Sequence, residues 1–279
     1  MATEISLENV WFHYYPQTES REKWAIQGVD LIFQQGEYVS IIGSNGSGKS
    51  SLACLINGLF IPTNGNLVIN GQHIEDDQGR WELKQRIGMV FQNPDNQIVA
   101  PSVLDDVAFG LENLGVAREE MQKRIPHVLE LVGLSGLEKK EPHHLSGGQK
   151  QRLAIAGVLA MQPDVLIFDE STSMLDPDGR HHILQLMRKL HLSGKTIIHI
   201  THQATEAFLA DRLVVLNKGK VMLDQNREAL YANSAQLTNW GLDVPISIEL
   251  HQNLLAKGWN LSHRIENEEQ LVSEIWTYM

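Results

Sequence analysis

The sequence predicts an α/β fold built on a mixed or mainly parallel sheet. Three apolar runs, YVSII, DVLIF and KTIIHI, have the length and continuous hydrophobicity of strands that are buried on both faces. Amphipathic stretches typical of helices, SSLACLINGL and HHILQLMRKL, follow two of these runs. Because strands that alternate with helices are joined by right-handed crossovers, we expect these strands to lie parallel in one sheet.

Further strands are predicted on both sides of this core. Residues 5–12 and 26–33 alternate between apolar and polar side chains, and the segments GNLVING and RIGMVFQ also have strand character. Near the end of the core, RLVVLNKGKVMLD predicts a hairpin that turns at Lys218 and Gly219.

The helical pattern is concentrated in two other regions. Residues 102–157 contain little strand character and predict a helical subdomain. Two short amphipathic stretches follow Pro245. We therefore expect one main domain of residues 1–235 and a small C-terminal helical appendage of residues 236–279.

Composition excludes several classes of function. The 279 residues include 23 Lys and Arg against 34 Asp and Glu, a formal net charge of −11, so bulk charge gives no affinity for nucleic acid or anionic lipid. The single cysteine, Cys54, cannot form an internal disulfide and is expected in the core, which fits a reducing compartment. We expect no secretory leader, because the first residues lack a basic segment and a long apolar run, and no apolar run in the sequence reaches membrane-spanning length. If the chain acts at a membrane, we expect another protein to hold it there.

A glycine-rich segment between the first buried strand and the helix predicts a nucleoside triphosphate site. Its residues GSNGSGKS fit the phosphate-loop pattern G-x-x-x-x-G-K-[ST] in the strand-to-helix context that this pattern requires. The glycines allow backbone amides to face a polyphosphate, the lysine neutralises its β and γ oxygens, and the last serine reaches Mg²⁺. The expected ATP-binding residues here are Gly43, Ser44, Asn45, Gly46, Ser47, Gly48, Lys49, Ser50 and Ser51.

Two carboxylates follow the second buried strand, in the segment DVLIFDE. The carboxyl ends of parallel strands form the ligand-binding edge of such sheets, which places Asp169 beside the phosphate loop. We expect Asp169 and Ser50 to hold Mg²⁺. The next residue, Glu170, is the candidate general base that accepts a proton from the attacking water.

A second anion-binding element is predicted at the segment LSGGQ. Ser146 stands at the N-cap of a predicted helix, and Gly147 and Gly148 leave backbone amides uncovered before Gln149. The order of phosphate loop, LSGGQ and strand-borne Asp-Glu resembles the nucleotide-binding domain of ATP-binding-cassette (ABC) proteins over residues 4–235. The resemblance implies a P-loop NTPase fold with an antiparallel β subdomain at its N-terminus.

The same resemblance implies roles for further residues. Gln92 matches the glutamine that contacts Mg²⁺ and the attacking water, and His202 matches the histidine that contacts the γ-phosphate. Residues 173–176 match the loop that crosses to an opposing subunit, which makes Asp176 a nucleotide-binding candidate. Tyr14 resembles the aromatic residue that stacks on adenine, and Tyr15 is an equally visible alternative.

These motifs predict a site shared by two chains. LSGGQ has no nucleotide of its own within one subunit, so we expect two ATPase domains to close head to tail around ATP. Lys49 of one chain and Ser146 of the other would then hold the same nucleotide.

The phrases FQNPDNQIVAPSVLDDVAFGLENLG and DESTSMLDP resemble the ATPases of energy-coupling-factor transporters, a family of micronutrient importers. This resemblance implies a peripheral ATPase at the cytoplasmic face of the cell membrane, with no nucleic-acid partner. Its implied partners are a second ATPase, a transmembrane coupling protein and a membrane substrate-binding subunit. The form of the phosphate loop favours the first ATPase of a heterodimer over a homodimer.

Other functions remain open at this stage. The cargo is either a vitamin or, in the same family, cobalt or nickel. A DNA-repair ATPase is a distant alternative, because it needs a coiled-coil insertion, a zinc-bearing insertion or a basic surface that the chain lacks.

Apolar residues suggest where partners bind. Ile98, Val99 and Val103 are candidates for the groove that receives a helix of the coupling protein. The appendage could clamp two ATPase subunits together or pack on its own domain, and its apolar candidates are Leu250, Leu254, Leu255 and Trp276.

Two histidine pairs are expected to be solvated rather than to bind metal, because they lack the carboxylate or cysteine company of a metal site: His143 with His144, and His181 with His182. No metal other than Mg²⁺ is expected.

Overall fold

A computed structural model describes residues 3–14, 24–74, 76–232, 234–240, 242–262, 265 and 268–278. The strands form two sheets, and the α/β prediction is confirmed. Their bounds are β1 Ile5–Phe12, β2 Ile26–Phe33, β3 Tyr38–Ile42, β4 Asn64–Ile69, β5 Gln72–His73, β6 Ile87–Val90, β7 Val165–Asp169, β8 Thr196–Ile200, β9 Arg212–Asn217 and β10 Lys220–Asn226.

The larger sheet has the order β10-β9-β3-β8-β7-β6. Strands β3, β6, β7, β8 and β9 are paired in parallel, whereas β10 pairs antiparallel with β9 through the predicted hairpin. Every residue of β3, β7 and β8 is buried, as expected for strands covered on both faces. The carboxyl ends of β3, β7 and β8 therefore meet at one edge of the sheet.

The smaller sheet is antiparallel and has the order β2-β1-β4-β5. Its apolar face packs around the first helix and against the larger sheet, in a cluster that includes Phe33, Leu52 and Ile198. This sheet supplies the N-terminal wall of the site described below.

Helices cover both sheets and form the predicted subdomain between β6 and β7. Their bounds are α1 Lys49–Ile56, α2 Asp77–Arg86, α3 Val103–Asn113, α4 Arg118–Leu131, α5 Gly147–Ala160, α6 Pro177–Leu192, α7 Ala204–Ala207, α8 Arg227–Ala232, α9 Ile246–Ala256 and α10 Glu268–Tyr278. Helices α3, α4 and α5 pack on one another through a core that includes Leu111, Leu129 and Leu153. In the part of the chain that the structure describes, no helix is long and apolar enough to cross a membrane.

The C-terminal helices share a hydrophobic cluster with the larger sheet. Ile248 of α9 and Leu271 of α10 belong to the same cluster as Val215 of β9 and Phe208. Residues 236–279, expected to form an appendage, are thus in contact with residues 1–235 in the described segments. The division of the chain at this point stays a prediction.

Helix α2 and the short strand β5 were not predicted. The sequence of α2, DQGRWELKQR, has almost no apolar periodicity, so its pattern is not recognisable as a helix. Its start is fixed instead by Asp76, whose carboxylate accepts a hydrogen bond of 2.7 Å from the Gly79 amide.

Gly219 gives a test of how the hairpin holds the smaller sheet. It has φ +77°, and a Cβ there would lie 2.7 Å from the Ala25 carbonyl oxygen, whereas Gly194, with φ +91°, has no described atom within 4 Å of that position. We expect Gly219→Ala to lower the free energy of unfolding by at least about 1 kcal/mol more than Gly194→Ala, because both pay the left-handed backbone penalty and only Gly219 adds a clash. Urea denaturation of the two variants measures the difference, and equal losses would contradict this account.

Candidate functional site

A cavity of about 650 Å³ opens at the edge of the sheet where β3, β7 and β8 end. It brings together seven of the fifteen residues predicted to bind nucleotide and all three predicted catalytic residues, whereas Gly43, Ser44 and Ser47 of the phosphate loop do not line it. Its lining is Tyr14, Ala25, Asn45, Gly46, Gly48, Lys49, Ser50, Ser51, Gln92, Glu170, Ser173 and His202. Ala25 was not predicted, because an alanine in a loop before a strand gives no functional signal.

The phosphate loop orients Lys49 at the start of α1. The Lys49 ammonium donates hydrogen bonds of 2.9 Å to the Gly43 carbonyl and 3.2 Å to the Ser44 carbonyl, and the residue is only 4% exposed. Gly46 and Gly48 have φ values of +75° and +104°, which glycine adopts without strain. The loop therefore holds one ammonium group beside two glycines that line the cavity.

The back of the loop packs against the hairpin. A Cβ on Gly43 would lie 2.1 Å from the Leu216 carbonyl oxygen, so only glycine fits there. The Ser47 carbonyl accepts a hydrogen bond of 2.8 Å from the Gly219 amide. Strand β9 and the hairpin turn thus fix the position of the phosphate loop relative to the larger sheet.

Asp169 is the last residue of β7 and is 3% exposed. Its Oδ1 is buried and has no hydrogen-bond partner among the described residues. Burial raises the pKa of Asp169, the Ser50 hydroxyl opposes this rise, the Glu170 charge adds to it and the Lys49 ammonium opposes it, so that the pKa lies at about 6. A buried oxygen without a partner beside a serine hydroxyl is the donor set that Mg²⁺ takes in phosphate-loop proteins, so these residues fit the ion.

Glu170 brings the three predicted catalytic side chains together. Its carboxylate accepts a hydrogen bond of 2.9 Å from the Gln92 amide and lies 3.5 Å from His202 Nδ1. The same carboxylate lies 3.7 Å from Lys49 Nζ.

The backbone of Glu170 is held in an unusual conformation. Its φ is +46°, a value that costs a residue with a side chain conformational energy. Its amide donates to the Ile200 carbonyl at 2.9 Å, and the Ser173 hydroxyl donates to the Glu170 carbonyl at 2.8 Å. These bonds offset the strain and aim the side chain into the cavity.

Tyr14 stands at the opposite side of the cavity. Its hydroxyl is 2.6 Å from the Ser51 hydroxyl, and its ring meets the rings of Phe12 and Phe60 edge-on. The side chain is 53% exposed, so one ring face is available for a planar ligand. Tyr15, the alternative stacking residue, lies outside the described residues.

The LSGGQ segment lies away from this cavity. Ser146 is the N-cap of α5, where its hydroxyl accepts from the Gln149 amide at 3.3 Å and the Gln149 side chain accepts from the Ser146 amide at 3.0 Å. The predicted N-cap is confirmed. Ser146, Gly147, Gly148, Gln149 and Asp176 do not line the cavity, although all five were predicted to bind nucleotide.

Comparison with known proteins agrees with this geometry. The family model "ABC transporter" matches residues 26–173. The chain is 45% identical to the energy-coupling factor transporter ATP-binding protein EcfA1 of Halalkalibacterium halodurans over 100% of this chain and 99% of that protein. The chain belongs to the ABC transporter family.

Solved structures of this ABC family share the fold. One is cbiO1 from Clostridium perfringens, described as part of the ABC transporter complex cbiONQ, with a TM-score of 0.73, 35% identity and coverage of 89% of this chain and 98% of that one. Another is the ATP-binding cassette MJ0796, a dimer in a post-hydrolysis state with ADP and Pi, with a TM-score of 0.73, 33% identity and coverage of 80% and 98%. The chain is thus an ABC ATPase that binds ATP with Mg²⁺, and those expectations are confirmed.

One histidine pair of this ABC ATPase, His143 with His144, has a carboxylate beside it. The expectation that no carboxylate accompanies the first pair is wrong, because Glu141 Oε2 lies 3.4 Å from His143 Nδ1, and side-chain donor atoms of Glu141, His143 and His144 lie within 4.8 Å of one another. A turn of 3₁₀ helix at Pro142–His144 brings them together, which the sequence spacing does not reveal. All three residues are exposed.

Cys54 is half-buried and packs against the cluster between the two sheets. Burial, aided by the Asp169 charge, raises the pKa of its thiol to about 11. A thiol with this pKa is protonated at neutral pH, so Cys54 acts as a core residue, as expected.

Substitution of Tyr14 tests the stacking role. Because stacking of a base on an aromatic ring contributes roughly 1 to 3 kcal/mol, we expect Tyr14→Ala to raise the Kd for MgATP about tenfold or more. Tyr14→Phe keeps the ring, loses only the contact with Ser51, and should bind nearly as tightly as the unmodified chain. Titration calorimetry compares the variants, and equal affinities for Tyr14→Ala and Tyr14→Phe would remove Tyr14 from the stacking role.

Proposed function

We propose that this chain is the ATP-hydrolysing subunit of an energy-coupling-factor importer for a vitamin-type micronutrient, at the cytoplasmic face of the cell membrane. The observation that supports this most directly is the separation of the LSGGQ segment from the cavity that contains Lys49 and Glu170. A site whose second anion-binding element faces solvent needs another subunit for completion.

The second subunit in this proposal is another ATPase, arranged head to tail. Ser146 is exposed at the N-terminus of α5, where the helix dipole and the amides of Gly147 and Gly148 favour an anion. Closure would bring this helix end onto the γ-phosphate of ATP held by Lys49 of the facing chain. The dimeric state of the similar cassette MJ0796 with ADP and Pi supports this arrangement.

Within this site, Glu170 is the proposed general base. Its carboxylate is oriented by Gln92 and His202, so a water that attacks the γ-phosphate would lose its proton to an oxygen already held in place. Asp169 and Ser50 would hold Mg²⁺, which neutralises charge on the β and γ oxygens when bound. His202 is 49% exposed in its side chain and can contact the γ-phosphate.

Removal of the Glu170 charge tests whether this residue acts in ATP hydrolysis and not in ATP binding. We expect Glu170→Gln to lower kcat for ATP hydrolysis by about 10² to 10⁴, because the amide cannot accept the proton, while the Kd for MgATP stays within about threefold. Phosphate release and nucleotide titration measure the two quantities on the same preparation. Substantial hydrolysis by the variant would exclude Glu170 as the base.

A second cavity supports docking of a membrane protein. It has a volume of about 580 Å³ and lies among α2, α3 and α5, with Trp81, Val99 and Phe109 in its lining. These side chains are 54%, 64% and 49% exposed, which is unusual for large apolar residues close together. We call this cavity the docking groove and propose that it receives an apolar helix of the coupling protein.

Of the three residues that the sequence suggested for the groove, only one lines it. Val99 lines the groove, and Asp106 holds its backbone amide with a hydrogen bond of 2.8 Å. Ile98 is half-buried and packs against the helical core. Val103 is wrong as a groove residue, since it is fully buried in that core at the start of α3.

The appendage has an exposed apolar surface as well. Leu250 and Trp276 are 43% and 72% exposed, whereas Leu254 is half-buried against the cluster shared with β9. The proposed clamp between two ATPases therefore uses Leu250 and Trp276, while Leu254 packs on its own chain. A heterodimer is proposed because the phosphate loop resembles the first ATPase of a mixed pair.

Assembly tests the proposed function. A tagged chain, purified from its own cell membranes in mild detergent, should carry a second ATPase and two membrane proteins. Because a charge in the docking groove opposes burial, we expect Val99→Asp to lose the membrane proteins while binding MgATP normally. Leu192→Asp, at a 74% exposed position outside the groove, is the matched control. Recovery of nucleic acid, or of no partner with the unmodified chain, would overturn the proposal.

A further inference from the structure

Glu206 is a buried carboxylate that the proposed chemistry does not use. It lies on α7, shortly after His202, and is 2% exposed. An ionised carboxylate in the interior is strongly unfavourable unless hydrogen bonds and opposite charge surround it. Its surroundings therefore show what it holds in place.

Two hydroxyl groups donate to this carboxylate from the segments that carry the catalytic residues. Thr172 Oγ1 is 3.0 Å from both carboxylate oxygens, and Thr201 Oγ1 is 2.8 Å from Oε2. Thr172 follows Glu170 closely in the chain, and Thr201 immediately precedes His202. One side chain thus connects the segment after β7 with the segment after β8.

Two cationic or ring nitrogens complete the environment. His199 Nε2 lies 3.5 Å from Glu206 Oε2, and Arg180 Nε lies 3.7 Å from Oε1. The other ring nitrogen of His199 is 3.3 Å from the Tyr38 hydroxyl, which fixes the direction of the ring. Burial alone would raise the pKa of Glu206, but the interactions with His199, Thr201 and Thr172 outweigh it and hold the pKa below its ordinary value.

The cluster lies just beyond the last paired residues of β7 and β8. The last paired residues of β7 and β8 are Asp169 and Ile200, and the Glu170 amide makes the final bond to the Ile200 carbonyl. Thr172 and Thr201 both lie past the last paired residues of these two strands. The Glu206 carboxylate connects these two threonines at a point where backbone hydrogen bonds between β7 and β8 no longer fix their spacing.

We propose that Glu206 is a positioning residue that holds the Glu170 and His202 segments in register for ATP hydrolysis. This inference rests on the roles proposed above for Glu170 and His202. By fixing Thr172 and Thr201, the carboxylate keeps His202 Nδ1 within 3.5 Å of the Glu170 carboxylate. It acts through these neighbours and does not touch the nucleotide.

A carboxylate is suited to this position because of its acceptor capacity. Two oxygens with about four lone-pair positions can accept from both threonine hydroxyls and still face the His199 ring nitrogen 3.5 Å away. Glutamine has the same shape but only one acceptor oxygen, and its amide group would face donors. Glu206→Gln therefore leaves one acceptor oxygen for both hydroxyls and removes the charge, which weakens the bridge without changing the volume of the core.

Threonine substitutions separate the hydroxyl from the shape of the side chain. Thr172→Val and Thr201→Val keep the volume and lose the donor, whereas Thr172→Ser and Thr201→Ser keep the donor. Thr205→Val is the matched control, because Thr205 is exposed next to Glu206 and lines a different cavity beside the C-terminal helices. All variants are made in the full chain within the assembled transporter, and assays run below the thermal midpoint of every variant.

We expect Glu206→Gln, Thr172→Val and Thr201→Val each to lower kcat about tenfold, with KM for ATP within about twofold. The serine variants and Thr205→Val should retain kcat within about twofold. Because the three residues act as one unit, the double variant Thr172→Val/Thr201→Val should lose no more than about threefold beyond Glu206→Gln.

A purely structural role would give a different result. The inference would be overturned by an unchanged kcat for Glu206→Gln or by additive losses of kcat in the double variant. It would also be overturned if kcat fell in proportion to the thermal midpoint of each variant, whether or not the hydroxyl was present. Glu170→Gln is assayed in parallel. If it still hydrolyses ATP, the proposed site fails; if it is inactive while the Glu206 variants are not impaired, the positioning role alone fails.

Discussion

The parallel pairing of β3, β8 and β7 is the constraint on which the site depends. Their registers place the ends of three strands at one edge, so the phosphate loop, the pair Asp169 and Glu170, and His202 emerge side by side. These segments are far apart in sequence, and no local interaction could bring them together. The continuous apolar runs that bury the strands on both faces therefore also define where chemistry takes place.

Charge at this edge determines what it can bind. The Lys49 ammonium has three donors, two of which are taken by loop carbonyls, so one is left for Glu170 or for a phosphate oxygen. Asp169 and Glu170 together outweigh that single positive charge. A triphosphate would be repelled by the two carboxylates unless a divalent ion came with it. Asp169 Oδ1, which has no hydrogen-bond partner in the part of the chain that the structure describes, is an acceptor open to such an ion.

The sequence predicted what short-range patterns encode. Strand β7 and the carboxylates at its end, the phosphate loop and the N-cap at Ser146 each depend on a few neighbouring residues, and the structure has them where they were expected. Burial of Val103 and the proximity of Glu141 to His143 were missed, because they depend on helix packing and on one 3₁₀ turn. The Glu206 cluster was also missed, since Thr172 lies 34 positions away and a lone Glu after a helix start gives no signal.

The geometry also supports the proposal that one chain is an incomplete enzyme. The cavity contains the proposed base Glu170, the proposed Mg²⁺ ligand Ser50 and Lys49, yet the helix end at Gly147 and Gly148 lies outside it. A γ-phosphate held by Lys49 alone would keep one side open to water, where its charge is screened and its orientation is not fixed. In the proposed head-to-tail pair the second subunit supplies these contacts, so ATP would stabilise the pairing of two subunits and its hydrolysis would weaken it. A protein bound in the docking groove, between α3 and α5, would be moved with the helical subdomain each time that surface closes.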